Sequence, residues 1–306
     1  MAETRIVVLD DDPTGSQTVH SCLLLTRWEV ADLRQALRDD SPLFFVLTNT
    51  RGMGAEQAAA VTREVCRNLK RALEQEQQAG HPIHPILVSR SDSTLRGHYP
   101  VETDVIAAEL GPFDAHFLVP AFFEGGRITR DSTHYLLQEG RPVPVHETEF
   151  ARDSVFGFST AYLPDYVEEK TGGRIRAGQV ERFLLADVRG DVMERLMGLR
   201  DNVCCVVDAE TRGDLDRFAT RLRQAAARGK RFLFRSGASL LTALAGLPPQ
   251  PVPPEQMGRY VAGGRPGAVI VGSHVRKTTA QLERLLQLPT VEAVEVDVER
   301  IDRDHA

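Results

Sequence analysis

The chain has 306 residues, of which 42% are apolar and 26% charged, and its formal net charge is −6. That balance suits a globular protein of one large or two medium domains, with a sizeable core. An acidic total excludes a global basic footprint for nucleic acid. No apolar run approaches the ~20 residues of a membrane span, so neither nucleic acid nor membrane is expected as a partner. The opening Met1-Ala2-Glu3-Thr4-Arg5 runs into an apolar stretch with no signal-peptide pattern. Cys22, Cys66, Cys204 and Cys205 show no metal-ligand spacing. Reduced thiols in a cytoplasmic protein are the expectation.

In chain order, short apolar runs end abruptly in polar or glycine clusters. Residues 5–9 run into Asp10-Asp11-Asp12-Pro13-Thr14-Gly15-Ser16, and residues 43–47 into Thr48-Asn49-Thr50-Arg51-Gly52. Residues 85–88 run into Ser89-Arg90-Ser91-Asp92-Ser93-Thr94-Leu95-Arg96-Gly97-His98, and residues 116–119 into Pro120-Ala121-Phe122. Further runs at 203–207, 232–234 and 268–271 meet Asp208-Ala209-Glu210-Thr211, Arg235-Ser236-Gly237-Ala238-Ser239 and Gly272-Ser273-His274. Runs apolar at successive positions fit strands buried on both faces. Ala58, Val61, Val65, Leu69 and Leu73 stripe a helix over 55–77, and Phe218, Leu222 and Ala225 stripe another over 217–228. Strand then helix, repeated, predicts an α/β fold: a mostly parallel sheet with flanking helices, in a Rossmann-like three-layer arrangement. In such folds ligands bind beyond the carboxyl ends of the strands, where all these clusters fall.

Residues 120–180 break the pattern, with the glycine-rich Phe122-Phe123-Glu124-Gly125-Gly126-Arg127-Ile128-Thr129, and are expected to cover or line the cleft. Proline and glycine breaks at 246–254 and 263–267 divide the chain into a substrate-binding domain over 1–247, a linker over 248–267 and the beginning of a second domain over 268–306. In the last piece a strand, a helix over 278–288 and a strand over 291–298 are expected. Some forty residues rarely form a core alone, so this domain is expected to be incomplete.

The residues 89–98 are too polar for a core. Arginine grips carboxylate or phosphate with paired hydrogen bonds, and serine and threonine hydroxyls suit a polyol. A loop binding a small hydroxylated anion is the functional expectation, against a simple polar strand-to-helix turn. Asp10-Asp11-Asp12 has the makings of a Mg²⁺ site or a base for a substrate hydroxyl, against a solvated acidic turn. Arg51 offers a second anion clamp. Gly126 and Arg127 offer backbone N–H groups and a guanidinium. His81, His84, His116, His134 and His146 lack ligand or triad spacing and read as surface or satisfied histidines. Neither a dinucleotide fingerprint nor a P-loop is present.

Two families resemble parts of this pattern. Asp10-x-Asp12-x-Thr14 with the later Thr48-Asn49 is similar to the opening signatures of haloacid-dehalogenase-type phosphatases, which would make Asp10 the nucleophile and Asp12 the general acid. The later acidic pair of that family is not matched, since Gly213-Asp214-Leu215-Asp216 has different spacing. The fuller resemblance is to the four-carbon acid sugar kinase family, over about residues 5–245. Asp11-Asp12-Pro13-Thr14-Gly15, Thr48-Asn49-Thr50-Arg51, Asp92-Ser93-Thr94-Leu95-Arg96-Gly97, Pro120-Ala121-Phe122 and Gly126-Arg127-Ile128-Thr129 match its stretches in order. Thr50 stands where that family has serine, and Arg90 where many members have lysine, which is not an equivalent side chain. Gly272-Ser273 and Thr278-Thr279-Ala280-Gln281 are similar to the opening of the family's nucleotide-binding domain. The glycine-rich ATP segment of that domain comes much later in those proteins and has no match within the 306 residues.

The resemblance implies ATP-dependent phosphorylation of a hydroxyl on a short sugar acid, with Mg²⁺ and ATP serving the complete enzyme. Asp11, Asp12, Arg51, Arg90, Ser91, Asp92, Ser93, Arg96, Gly126 and Arg127 become substrate-binding candidates, and Asp12 and Asp92 catalytic ones. Gly272 and Ser273 become cofactor-binding candidates, and no metal ligand is assigned. The chain alone is expected to be inactive. A non-catalytic sugar-acid-binding accessory protein is the alternative, and a homodimer is left open.

Overall fold

The computed structural model describes residues 3–247 and, of residues 252–297, all but 261, 262, 264, 265 and 274; of Pro254 and Tyr260 only the backbone is described. The chain divides into two units, Met1–Gln250 and Pro251–Ala306. Among the described residues of the first unit the strands are β1 (Glu3–Asp10), β2 (Leu23–Leu25), β3 (Leu43–Leu47), β4 (Ile83–Arg90), β5 (Ala115–Val119), β6 (Arg127–Arg130), β7 (Thr133–Gln138), β8 (Arg141–Pro144), β9 (Glu181–Phe183), β10 (Val203–Val207) and β11 (Phe232–Ser236). Its helices are α1 (Val30–Leu37), α2 (Ala55–Gln78), α3 (Val101–Leu110), α4 (Leu163–Lys170), α5 (Leu185–Arg189), α6 (Met193–Gly198), α7 (Arg212–Ala227) and α8 (Ala238–Ala245).

Eight strands form one sheet in the order β2-β3-β1-β4-β11-β5-β10-β9, and every pairing in it is parallel. The alternation of side chains along each strand explains the layering. Val7 and Leu9 face one side, with Phe44, Val46 and Leu87, and pack under Leu33 and Leu37 of α1, Val65 and Leu69 of α2, and Ile106 of α3. Ile6 and Val8 face the other, where Phe117, Phe232 and Phe234 meet Phe218 and Leu222 of α7 and Leu240 of α8. The expected α/β three-layer fold is therefore what the chain adopts. The helix expected over 217–228 begins five residues earlier. Thr211 caps it, its hydroxyl accepting from Asp214 N–H while the Asp214 carboxylate accepts from Thr211 N–H, a capping box that an apolar stripe does not reveal.

Residues 120–180 are more ordered than their composition suggests. β6, β7 and β8 make a separate antiparallel sheet. A third apolar cluster, with Leu95, Leu118, Val145, Phe158 and Tyr166, fixes this insertion over the β4 loop.

In the second unit the described residues form a short 3-10 turn, Pro254–Tyr260, and helix α9, Arg276–Leu286. The strand expected over 268–271 is absent: residues 266–273 are irregular, and Ile270 is 97% exposed. Residues 291–297, which read as a second strand, are likewise irregular. Among the described residues of this unit there is no strand to pair with, and a lone strand has no hydrogen-bond partners. Of the expected linker, residues 248–251, 261, 262, 264 and 265 lie outside the described residues, as do residues 298–306 of the last piece.

Candidate functional site

The chain leaves β1 toward β3 on one side and returns to β4 on the other, which makes the carboxyl end of β1 a topological switch point, the usual ligand position in an open parallel sheet. The strand-end clusters converge there. Asp10 lies in register with Leu47 and Arg90, and β11 brings Ser236 alongside Arg90.

Arg51 is held on a 3-10 turn whose preceding residue, Asn49, is left-handed at φ 54°. Its guanidinium spans two carboxylates. Nη2 donates to Asp11 Oδ1 at 2.5 Å, Nε to Asp11 Oδ2 at 3.3 Å and Nη1 to Asp12 Oδ2 at 3.2 Å. Arg51 is therefore engaged by the protein itself rather than poised open as a clamp. Asp12 is turned by Thr14, whose N–H and hydroxyl both donate to Oδ1. Burial raises the Asp12 carboxyl, but Arg51 and the Thr14 bonds outweigh it and hold it below the usual range.

Asp10 is fully buried, and neither of its oxygens has a hydrogen-bond partner. Arg90 Nη1 approaches to 3.7 Å. A Cβ placed on Gly15 would lie 1.9 Å from Asp10 Oδ2, so only glycine lets the turn close over this carboxylate. Burial pushes Asp10 up to about 7, against the pull of Arg90.

The β4 loop is pinned from several sides. Ser91 N–H donates to Ser236 O at 3.0 Å, and Ser91 Oγ donates to Asp11 Oδ2 at 3.0 Å. Leu95 is left-handed at φ 70°, a conformation costing a non-glycine residue about 1 kcal/mol or more and characteristic of functional loops. Gly97 sits at φ 111°, where a Cβ would meet Ser91 Oγ at 2.6 Å. Arg96 Nε donates to Asp92 Oδ2 at 2.6 Å, and the Thr94 hydroxyl donates to the same oxygen. Burial would raise Asp92, but Arg51 and Arg96 hold it down to about 2.

The insertion closes the site. His134 is fully buried; Nε2 bonds Ser93 O at 2.7 Å, and Nδ1 meets Thr129 Oγ1 at 2.9 Å. Burial lowers its pKa to about 4, so it is a neutral tether, with Nε2–H donating and Nδ1 accepting. Tyr166 donates its hydroxyl to Leu95 O at 2.7 Å. Gly126 is left-handed at φ 71°, and Arg127 Nη1 donates to Gly125 O at 2.7 Å while its Nε is buried without a partner. Burial pulls the Arg127 guanidinium below its ordinary pKa. Arg96 and Arg127 both lie over the Phe150 ring, at 5.0 and 6.0 Å.

Three residues that carry this geometry do not stand out in the sequence. Arg235 on β11 is buried and bonds Ser89 Oγ and Glu102, and Glu102 also accepts from Thr50 Oγ1 at 2.5 Å. An arginine at the end of an otherwise apolar strand run is the available signal for Arg235. Glu102 reads as an ordinary first-turn helix acid, and Phe150 as a loop aromatic. Ser91, Asp92, Leu95, Arg96, Pro120 and Arg235 border a narrow cavity of about 10 Å³, room for about one water.

Among the described residues no three His, Cys, Asp or Glu side chains are grouped to hold a metal, and no helix is long and apolar enough to cross a membrane. Gly272 and Ser273 lie exposed in irregular chain, and a Cβ on Gly272 would touch nothing within 4 Å. Gly272 and Ser273, the cofactor-binding candidates, therefore form no cradle of backbone donors.

The chain is thus a parallel α/β domain whose arginines and carboxylates gather at the switch point of the sheet. Residues 6–244 match the family of sugar-binding N-terminal domains, and the chain belongs to that family. It is 26% identical over 224 residues to a D-erythronate kinase of Heliobacterium modesticaldum, covering 71% of this chain and 47% of that one. It is 29% identical over 172 residues to a D-threonate kinase of Bordetella bronchiseptica, covering 54% and 39%. The chain thus spans about half the length, or less, of these curated relatives. A domain of unknown function from Bordetella bronchiseptica, crystallised as a domain-swapped dimer with bound citrate, has a TM-score of 0.56 at 25% identity, over 80% of this chain and 57% of that one. A Haemophilus influenzae protein shares the fold with a TM-score of 0.53 at 19% identity, over 78% and 55%.

Proposed function

We propose that this chain supplies the sugar-acid-binding part of an ATP-dependent kinase that phosphorylates a hydroxyl of a four-carbon sugar acid. The observation that carries this reading is the grouping of Asp12, Arg90, Asp92, Arg96 and Arg127 around the switch point, in a chain related to D-erythronate and D-threonate kinases. The related Bordetella bronchiseptica domain was crystallised with bound citrate, a polycarboxylate, which is in keeping with a carboxylate ligand. Asp12 is the more accessible of the two candidate bases, its side chain 27% exposed against 13% for Asp92. In this reading Asp12 receives the hydroxyl proton, and Asp92 holds Arg96 in place. Arg51 offsets the charge of Asp11 and Asp12 and helps hold the Asp12 carboxyl below its usual range. Phosphoryl donor and metal would be held by residues outside those described.

The phosphatase alternative fits the geometry poorly. Asp10 lies wholly buried beneath the Gly15 turn and presents no oxygen to a phosphoryl group. A sugar-acid-binding accessory role is the second reading, favoured by the exposed, cradle-free setting of Gly272 and Ser273.

Calorimetric titration of the chain with D-erythronate and D-threonate tests the proposal. Saturable binding is expected, weakened at least about tenfold by Arg96→Ala, the cost of one hydrogen bond to a charged group. A coupled ADP assay separates the two readings, since turnover belongs only to the kinase. No binding of either acid would remove the functional assignment.

A further inference from the structure

Resting on the sugar-acid reading, we infer that Glu102 is a positioning residue of the site: by holding Arg235 it leaves Asp11 to Arg51, and through Thr50 it sets the turn from which Arg51 reaches Asp11 and Asp12. Glu102 stands in the first turn of α3, outside the strand-end clusters that line the site. It is buried, and both of its oxygens are engaged. Oε1 accepts from Thr50 Oγ1 at 2.5 Å, and Oε2 accepts from Arg235 Nη1, which also donates to Ser89 Oγ at 2.7 Å. Thr50 Oγ1 lies 3.2 Å from Thr48 Oγ1, which donates to Asp10 O at 2.8 Å. Directly or through one side chain, a single carboxylate thereby ties the ends of β1, β3, β4 and β11 together. Its own N–H donates to His98 O, where the β4 loop enters α3.

Arg51 follows Thr50 directly. Its N–H donates to Asp11 O at 3.1 Å, and the turn carrying it begins at left-handed Asn49. Thr50 is fully buried, so its bond to Glu102 fixes the depth from which the Arg51 side chain starts. A hydroxyl donating to a carboxylate makes one of the stronger side-chain hydrogen bonds, which suits this joint to hold a tight turn in one place.

Arg235 is the second half of the device. It is 3% exposed, and its Nη2 is buried without an acceptor. Asp11 stands close to it: a Cβ on Gly97 would lie 2.8 Å from Arg235 Nη2 and 2.9 Å from Asp11 Oδ2. Asp11 takes its side-chain bonds from Arg51 and Ser91, with Arg90 Nη1 at 3.9 Å. Burial raises the Asp11 carboxyl and Arg51 lowers it, while Glu102 raises and Arg235 lowers it in turn. A buried guanidinium deprived of its carboxylate is uncompensated and is drawn to another within reach, here Asp11. Glu102 thus keeps Arg235 off Asp11, and Arg51 is left to span Asp11 and Asp12.

Two readouts on the full chain test this, one of them free of ligand. NMR of the Arg51 guanidinium protons reports its grip on Asp11 as slowed exchange with water, and calorimetry reports affinity for D-erythronate. Glu102→Gln should speed that exchange and weaken D-erythronate about tenfold, the loss of one hydrogen bond to a charged group. Adding Arg235→Gln removes the competitor for Asp11, and the two introduced amides can still bond Ser89 Oγ, Thr50 Oγ1 and each other. Both readouts should then return toward the wild type. A double variant no better than Glu102→Gln in either readout would mean that the pair serves the fold alone, and Arg51 exchange that ignores Glu102→Gln would overturn the positioning role whatever the affinity. Should Glu102→Gln not fold, Thr50→Val decides, since it keeps every charge: it should speed Arg51 exchange and weaken D-erythronate about threefold, with Thr50→Ser restoring both. A Thr50→Val protein indistinguishable from the wild type would overturn the role of Glu102. If the wild type binds no D-erythronate while the Arg51 signals behave as stated, the sugar-acid reading fails and the positioning role stands.

Discussion

The two ends of the cleft contain the same side chains in different states. At the carboxyl end of β1, half-buried Arg51 bridges Asp11 and Asp12, while buried Asp10 and Arg90 face each other at 3.7 Å without a hydrogen bond. Under the insertion, Arg96 pairs with Asp92 and Asp153 and leans with Arg127 on the Phe150 ring, while Arg127 donates to the Gly125 carbonyl and has no carboxylate in ion-pair range among the described residues. An arginine near a strand end is thus not one kind of signal. Where its partner lies within the protein, its removal strands a buried charge and costs stability. Where it lacks such a partner, its removal is expected to cost affinity for the proposed ligand instead.

Arg51→Ala tests the matched end most severely. It leaves Asp11, 2% exposed, without its guanidinium, and stranding a buried charge costs about 3–5 kcal/mol. Urea unfolding at neutral pH should show a loss of that size. A change below about 1 kcal/mol would mean that the β1 end relaxes freely and is no more internally satisfied than the insertion end.

Asp10 sharpens the contrast through pH. Its carboxyl is raised from 3.8 to about 7 by burial, so between those values the folded chain holds a proton that the unfolded chain has released. Stability from this group is full below about pH 4 and is lost as pH rises through 7. Three units at about 1.4 kcal/mol each give a component near 4 kcal/mol. Urea midpoints followed from pH 4 to 8 should carry this fall in the wild type and lack it in Asp10→Asn. Parallel profiles would show that Asp10 is solvated or matched after all.

The contrast between the ends also marks how far the sequence could be read. The apolar runs ending at Asp10, Leu47, Arg90 and Ser236 located the sheet and the face of the site, because a buried parallel strand leaves no polar positions until it ends. Pairing was not legible. Nothing in Thr48-Asn49-Thr50-Arg51 says that Arg51 returns to Asp11 and Asp12 about forty residues earlier. Arg235 and Glu102 meet across 133 positions, a contact that only the strand order creates. The tether from His134 to Ser93 and the Phe150 platform depend likewise on how the insertion folds back. In the second unit the run at 268–271 looks like β1 in composition, yet Val269 is 71% exposed, since apolarity makes a strand only where neighbours can pair with it.

The smallest effect expected is at the rim of the unmatched end. Asp153 Oδ1 accepts from the N–H groups of Val155 and Phe156 at 2.9 and 3.0 Å, while its other oxygen faces Arg96 at 3.7 Å with both side chains about a quarter exposed. Asp153→Asn can keep the turn, because the amide oxygen still accepts both bonds, and it removes only the charge. An exposed pair of this kind contributes about 0–1 kcal/mol, so the unfolding midpoint should scarcely move. Affinity for D-erythronate should rise about twofold to threefold, because the entering carboxylate no longer competes with a resident acid for Arg96, and the gain should fade as salt screens the rim. Calorimetry at low and high ionic strength distinguishes the outcomes. Unchanged or weakened binding at low salt would show that Asp153 does not compete with the ligand for Arg96, and that the two ends of the cleft are more alike than their pairing suggests.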